Sequence, residues 1–257
     1  LLRSGLSFSP FIHITESHLL IMLKKMFSFR CKYWCSSCRV VFLTAMGLAA
    51  CTSTPLTGEN PYKLKTGTLD KAEAKYGANA KQRLESWQAL LDGDKKADEQ
   101  SKLLRVNNYF NERIIFSSDR QVWGVEDYWA TPVEFLGRGA GDCEDFAIAK
   151  YFSLLALGVP ESKLRITYVQ ATGHGPANLA HMVLTYYPTP SAVPLVLDNL
   201  IPEIKPASQR PDLTPVYGFN GQGLWLAKDR SSGNATPRQN KISLWDQLKA
   251  RQGREFD

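Results

Sequence analysis

Gly139-Ala140-Gly141-Asp142-Cys143-Glu144-Asp145-Phe146-Ala147 sets one cysteine between acidic neighbours, after a glycine-rich turn and ahead of a helix pattern. The helix opens at Asp142 and carries Phe146, Ile148, Ala149, Phe152, Leu155 and Ala156; Leu157-Gly158-Val159-Pro160 ends it with a glycine cap and a proline. Beyond it the hydrophobic period drops from near 3.6 to 2. Leu164 to Ala171, His181 to Tyr187 and Leu195 to Leu200 read as strands, and Val216–Phe219 with Gly223–Leu226 reads as a closing hairpin around Asn220-Gly221.

Upstream the pattern is helical. One helix is predicted from Thr68 to Leu91, where Gly93 breaks it, and a second from about Asp98 to Ile115. Thr131-Pro132 starts a short helix through Phe135 and Leu136, with its end at Gly137. Helices first and antiparallel strands later make an α+β domain. Residues 52–66, rich in Thr, Pro and Gly, read as a flexible leader, 67–228 as the folded domain, and 229–257 as a charged C-terminal tail with a weak helix around Ser243 to Ala250.

The net charge of +6 is misplaced for nucleic-acid binding. Residues 1–51 hold Arg3, Lys24, Lys25, Arg30, Lys32 and Arg39 against Glu16, so the remainder is near neutral and shows no basic cluster interleaved with aromatics. These basic residues precede the apolar run Val40 to Ala50, too short to span a bilayer comfortably and ending in small residues, as an export signal does. Leu48-Ala49-Ala50-Cys51 resembles a lipobox, which would put a lipid anchor on Cys51; ordinary cleavage near Ala50 is the other reading. Either way the mature protein is expected outside the cytoplasm, in the periplasm, with the first reading tying it to the membrane as a lipoprotein. Cys31, Cys35 and Cys38 fall inside the signal with no fourth ligand and are discounted as a metal site.

After Cys51 the only cysteine is Cys143. A thiol must ionise to attack a carbonyl, and the unpaired N–H groups and dipole of a helix N-terminus favour the thiolate. An imidazole can take and return the proton, and a carboxylate can fix the imidazole's tautomer. We assign these roles to His181, which opens a strand, and Asp198, which ends the next one. The rival base is His174, in the loop Thr172-Gly173-His174-Gly175-Pro176. A lone cysteine is more commonly a small buried hydrophobe, so spacing alone leaves the triad and the bland reading both open. Asp142, Glu144 and Asp145 crowd negative charge around a residue whose useful form is itself an anion. They read either as helix caps or as carboxylate ligands of a hard cation such as calcium.

Trp129-Ala130-Thr131-Pro132, Gly139 to Asp145, Ile148-Ala149-Lys150-Tyr151, Leu157-Gly158-Val159, Ala180-His181-Met182-Val183-Leu184, Leu197-Asp198-Asn199-Leu200 and Pro215 to Asn220 occur in an order that resembles the bacterial transglutaminase-like cysteine peptidases. The resemblance covers about Val125 to Leu226. It implies a papain-like or transglutaminase-like core, N-terminal helices packed on an antiparallel sheet, with Cys143 as nucleophile, His181 as base and acid, and Asp198 as orienting carboxylate. It further implies a calcium-dependent endopeptidase that cuts near a di-alanine site in the N-terminal region of a large surface adhesin, controlling biofilm release, and that an inner-membrane cyclic di-GMP receptor holds inactive. A lipid anchor departs from that pattern. The same triad would serve a transglutaminase-type acyl transferase, and the same fold could persist as a non-catalytic binding module.

Overall fold

The structure, a computed structural model, describes residues 62–93, 95–173, 179–226 and 243–255. The export segment with Cys51, and His174, lie outside the described residues. In chain order the elements are α1 (Thr68–Tyr76), α2 (Ala78–Gly93), α3 (Glu99–Arg113), β1 (Ile115–Phe116), α4 (Asp119–Val122), α5 (Pro132–Arg138), β2 (Ala140–Gly141), α6 (Cys143–Ala156), β3 (Leu164–Ala171), β4 (Leu179–Tyr186), β5 (Leu195–Leu197), β6 (Lys205–Pro206), β7 (Leu213–Asn220), β8 (Gly223–Leu226) and α7 (Ser243–Gln252). Among the described residues no helix is long and apolar enough to cross a membrane.

Strands β6-β5-β4-β3-β7-β8 form one sheet in that order, every neighbouring pair antiparallel. Period-2 alternation divides its side chains. Leu164, Ile166, Met182, Leu184, Leu197 and Phe219 join the main core with the helices, while Val169, Val183 and Val196 form a second buried cluster on the other face. Helix α6 is apolar nearly all round, which suits a helix buried in the middle of a domain. It lies against β3 and β4 on one side and α3 and α5 on the other, and Phe146, Ile148, Ala149 and Leu154 are buried there.

Three expectations need correction. The helix predicted over Thr68 to Leu91 is two helices, because Gly77 takes φ 90°, a left-handed conformation that breaks the first at Tyr76. The helix at Pro132 does not stop at Gly137. It runs to Arg138 with Gly139 as its left-handed cap, and Gly137 packs against the Tyr76 ring. Nor is the C-terminal segment a tail outside the domain. Trp245 of α7 stacks on Phe152 at 5.6 Å and meets Tyr151 and Phe219 edge-on, and Leu248 is fully buried. Arg251 donates to the Trp129 carbonyl at 2.5 Å and pairs with Glu134, and Glu255 accepts from Thr131 Oγ1 at 2.8 Å. Local composition reads as a weak, charged helix; its apolar stripe is recruited by aromatic partners far away in sequence.

Candidate active site

The thiol is placed by its approach. Thr131 and Glu134 make a reciprocal capping box with Pro132 at the helix start, fixing α5. Gly139 then turns the chain with φ 69°, and Ala140-Gly141 pair in parallel with Ile115-Phe116. A Cβ on Gly141 would run into the Phe135 ring and the Asp145 carboxylate, so only glycine lets the chain pass this close. Asp142 takes the N-cap position in extended backbone, without a side-chain cap bond, and Cys143 is the first residue of α6. Cys143 thus stands at the N-terminal end of a 14-residue helix, where the first N–H groups lack intrahelical partners.

The Met182 backbone N–H also points at that sulfur. This puts Cys143 beside the backbone of the residue that follows His181 in β4. His181 Nε2 and Asp198 Oδ1 are 2.8 Å apart, both buried, leaving Nδ1 as the ring nitrogen Asp198 does not engage. Strand pairing brings them together: Leu184 of β4 sits opposite Leu197 of β5, and Asp198 follows directly. His181 and Asp198 therefore meet at one end of the sheet, with Cys143 beside the backbone of the residue that follows His181.

Asp198 is held from every side. Its Oδ1 also accepts the Leu200 N–H at 3.0 Å, and its Oδ2 accepts Arg210 Nη2 at 2.7 Å. Its backbone carbonyl takes donors from Asn111 Nδ2 at 2.7 Å and Lys150 Nζ at 3.1 Å. Burial alone would raise its pKa, but the bonds from His181, Leu200 and Arg210 outweigh it and hold the carboxyl at about 2. Arg210 is buried and shares Nη2 with Asp212 at 2.7 Å. Lys150, two turns along α6 from Cys143, is fully buried, and burial lowers it to about 7. Sequence reading missed Arg210, Lys150 and Asn111 as supports. The Lys150 signal was available: a lysine on the apolar face of a buried helix needs a partner.

The acids beside the thiol divide differently from expectation. Asp142 and Glu144 come together with Asp119 of α4, each offering an oxygen within 4.8 Å of the others. Asp145 instead turns into the core, where its Oδ1 accepts the Ala130 N–H at 2.8 Å. Asp119 is the member the sequence hid, because it lies on another element and is joined to Asp142 only by the fold. Burial, then the charge of Asp142 after the Tyr128 N–H bond, leaves Asp119 at about 6. Burial and then Glu144 push Asp142 up to about 8, and burial raises Glu144 as well. The Cys143 Sγ–H donates to Glu144 Oε2 at 3.0 Å; burial and that carboxylate push the thiol well above the ordinary cysteine range.

The cluster fits a hard cation. Asp119 Oδ1 and Asp142 Oδ1 are buried and without a hydrogen-bond partner among the described residues, which is unusual for carboxylate oxygens. All three residues supply oxygen, the donor type of calcium and magnesium rather than zinc.

The comparisons with known proteins bear on the family and the fold. The family model of the bacterial transglutaminase-like cysteine proteinases matches residues 78–212. The solved structure of Legionella pneumophila LapG is 42% identical, covers 75% of this chain and 99% of its own, and superposes with a TM-score of 0.63. Its calcium-bound form is 44% identical over 71% of this chain and 96% of its own, TM-score 0.60. An EGTA-treated form is 43% identical over 75% and 99%, TM-score 0.64. None of the curated proteins compared is similar to the chain. With a helix-borne cysteine, an antiparallel sheet and this match, the chain belongs to the bacterial transglutaminase-like cysteine proteinases and is a LapG-like cysteine protease.

Proposed function

We propose that the protein is a calcium-dependent cysteine endopeptidase in which Cys143 is the nucleophile, His181 the general base and acid, and Asp198 the carboxylate that orients His181. The observation that carries this reading is the buried His181–Asp198 bond of 2.8 Å beside a cysteine at a helix N-terminus. His181 takes the Cys143 proton as the sulfur attacks the scissile carbonyl carbon. The Cys143 backbone N–H, at the helix start, donates to the developing oxyanion. His181 then protonates the leaving amine, and water activated by the same imidazole hydrolyses the thioester. Asp198, ionised down to about pH 2, keeps the ring in one tautomer throughout.

Asp119, Asp142 and Glu144 would hold the calcium, which neutralises their charge when bound. Support comes from the unpartnered Oδ1 atoms of Asp119 and Asp142 and from the calcium-bound form of the Legionella protein. Glu144 links the cluster to the chemistry, since it accepts the thiol proton's hydrogen bond and so favours the protonated, unreactive sulfur. A cation held by Glu144 would weaken that bond and so favour the thiolate.

The substrate we infer is the N-terminal region of a large surface adhesin, cut near a di-alanine site, with biofilm release as the consequence. An inner-membrane cyclic di-GMP receptor is the inferred inhibitor, and the periplasm the inferred location, with a lipid anchor where Cys51 is modified. These readings rest on the likeness to LapG and on the export-signal pattern of residues 1–51. Incubating the protein with an adhesin N-terminal fragment and a small primary amine tests them together. Two discrete products support the protease. Amine incorporation would instead show acyl transfer, and stable association without turnover would show a binding module.

A further inference from the structure

A cavity of about 500 Å³ lies on the sheet face away from the helices. That volume is in the range of small-molecule sites, roughly 300–1,000 Å³. Its walls include Val169, Val183 and Val196, the residues of the second buried cluster, with Ala207 and Leu213. The sequence pattern gives no reason for a hollow here, since a sheet's outer face can simply be polar.

The polar groups lining it are unusual in having donors to spare. Arg210 Nη1, Arg165 Nε and Trp225 Nε1 are buried side-chain atoms without a hydrogen-bond partner among the described residues, whereas no buried side-chain oxygen of a lining residue is left unpartnered. Arg210 as a whole is 2% exposed, so its orphan N–H edge is not a solvated surface group. Its other edge is committed to Asp198 and Asp212. Arg165 is stacked between Tyr187 and Trp225, its guanidinium 4.3 Å from each ring centroid, and makes no ion pair among the described residues. A site with apolar walls, three idle N–H donors and one uncompensated positive charge selects for an acceptor and against a donor.

We propose that this cavity binds a small apolar carboxylate, its anion held by Arg165 and the free edge of Arg210, its body on the valine cluster. Arg210 also holds the Asp198 carboxylate, so the ligand touches the group that fixes Asp198. Occupancy therefore changes the cleavage rate, a consequence that rests on the assignment of Asp198 to the triad; binding itself does not.

Calorimetry on the full chain in calcium separates the two. The probe is 4-phenylbutanoate, with 4-phenylbutanamide as its neutral counterpart. The carboxylate should bind saturably and at least tenfold more tightly than the amide. Arg165→Gln should weaken it tenfold or more, and Ala207→Phe, which fills the cavity, should abolish it, while both variants cleave at the unliganded rate. Equal affinity for acid and amide, or binding indifferent to Arg165→Gln, overturns the site. Should Ala207→Phe fail to fold, Arg165→Gln decides alone. Saturating probe should change the wild-type cleavage rate at least twofold and leave Arg165→Gln unaffected at the same concentration. An unchanged wild-type rate overturns the link to Asp198.

Discussion

Replacing Asp198 by Asn keeps the shape of the side chain and reverses the polarity of one of its two edges. Wild-type Asp198 accepts from His181 and Leu200 on one oxygen and from Arg210 on the other, so it faces donors in both directions. An amide has one accepting edge. The charge-assisted bond is the stronger, and Arg210 is fixed by Asp212, so the amide oxygen should turn to Arg210 and its NH₂ to His181. His181 must then accept at Nε2 and carry its proton on Nδ1, the tautomer that cannot take a proton from the thiol. Loss of the orienting anion with the wrong tautomer is worth roughly 10⁴ in rate, or about 5.4 kcal/mol. The assay is kcat/KM for cleavage of the adhesin fragment, with circular dichroism to confirm folding. Adding Arg210→Met to Asp198→Asn should restore at least tenfold over the single variant, because the amide oxygen is then free to face His181. Asp198→Asn within tenfold of wild type would refute the reasoning, as would a double variant slower than the single one.

Chelation should stop cleavage and added Ca²⁺ restore it, and Asp119→Asn should raise the calcium needed by tenfold or more; full activity in EGTA would remove the cation from the account. The raised values of Asp119 (about 6) and Asp142 (about 8) set the sign of a pH effect in EGTA. The folded state there binds protons that the unfolded state has released, so stability falls as pH rises from about 4 towards 8, by up to about 1.4 kcal/mol per pH unit per proton. The gap in melting temperature between calcium and EGTA should therefore widen from pH 5.5 to pH 8, and a constant gap would contradict the cluster's assignment. Trp245→Ala should cost about 3–5 kcal/mol in urea unfolding, the loss for a buried aromatic; a change under 1 kcal/mol would return α7 to the status of a tail.

The parts of this protein legible in its sequence are those with local signals. The α6 start, β3 at Leu164–Ala171 and the Gly223–Leu226 strand announce themselves through caps, period and turn residues. Cys143, His181 and Asp198 were singled out because each chemistry-bearing residue sits at or near the end of such an element. Asp119 and Arg210 were not. Each lies in a short, non-periodic segment, and each acquires its meaning from a partner on another element, Asp142 for one and Asp198 for the other. Asp145 shows the converse. Adjacency to Asp142 and Glu144 suggested a shared ligand set, but the helical turn sends its carboxylate inward to Ala130. The Trp245 helix was undervalued for the same reason, as an aromatic cluster drawn from α6, β7 and α7 has no local period.

The most direct test of the central claim is cleavage of the adhesin N-terminal fragment by Cys143→Ala beside the wild type, in calcium, with both proteins shown to melt alike. The account predicts two discrete products from the wild type and none from the variant at any time. Comparable cleavage by Cys143→Ala would contradict it.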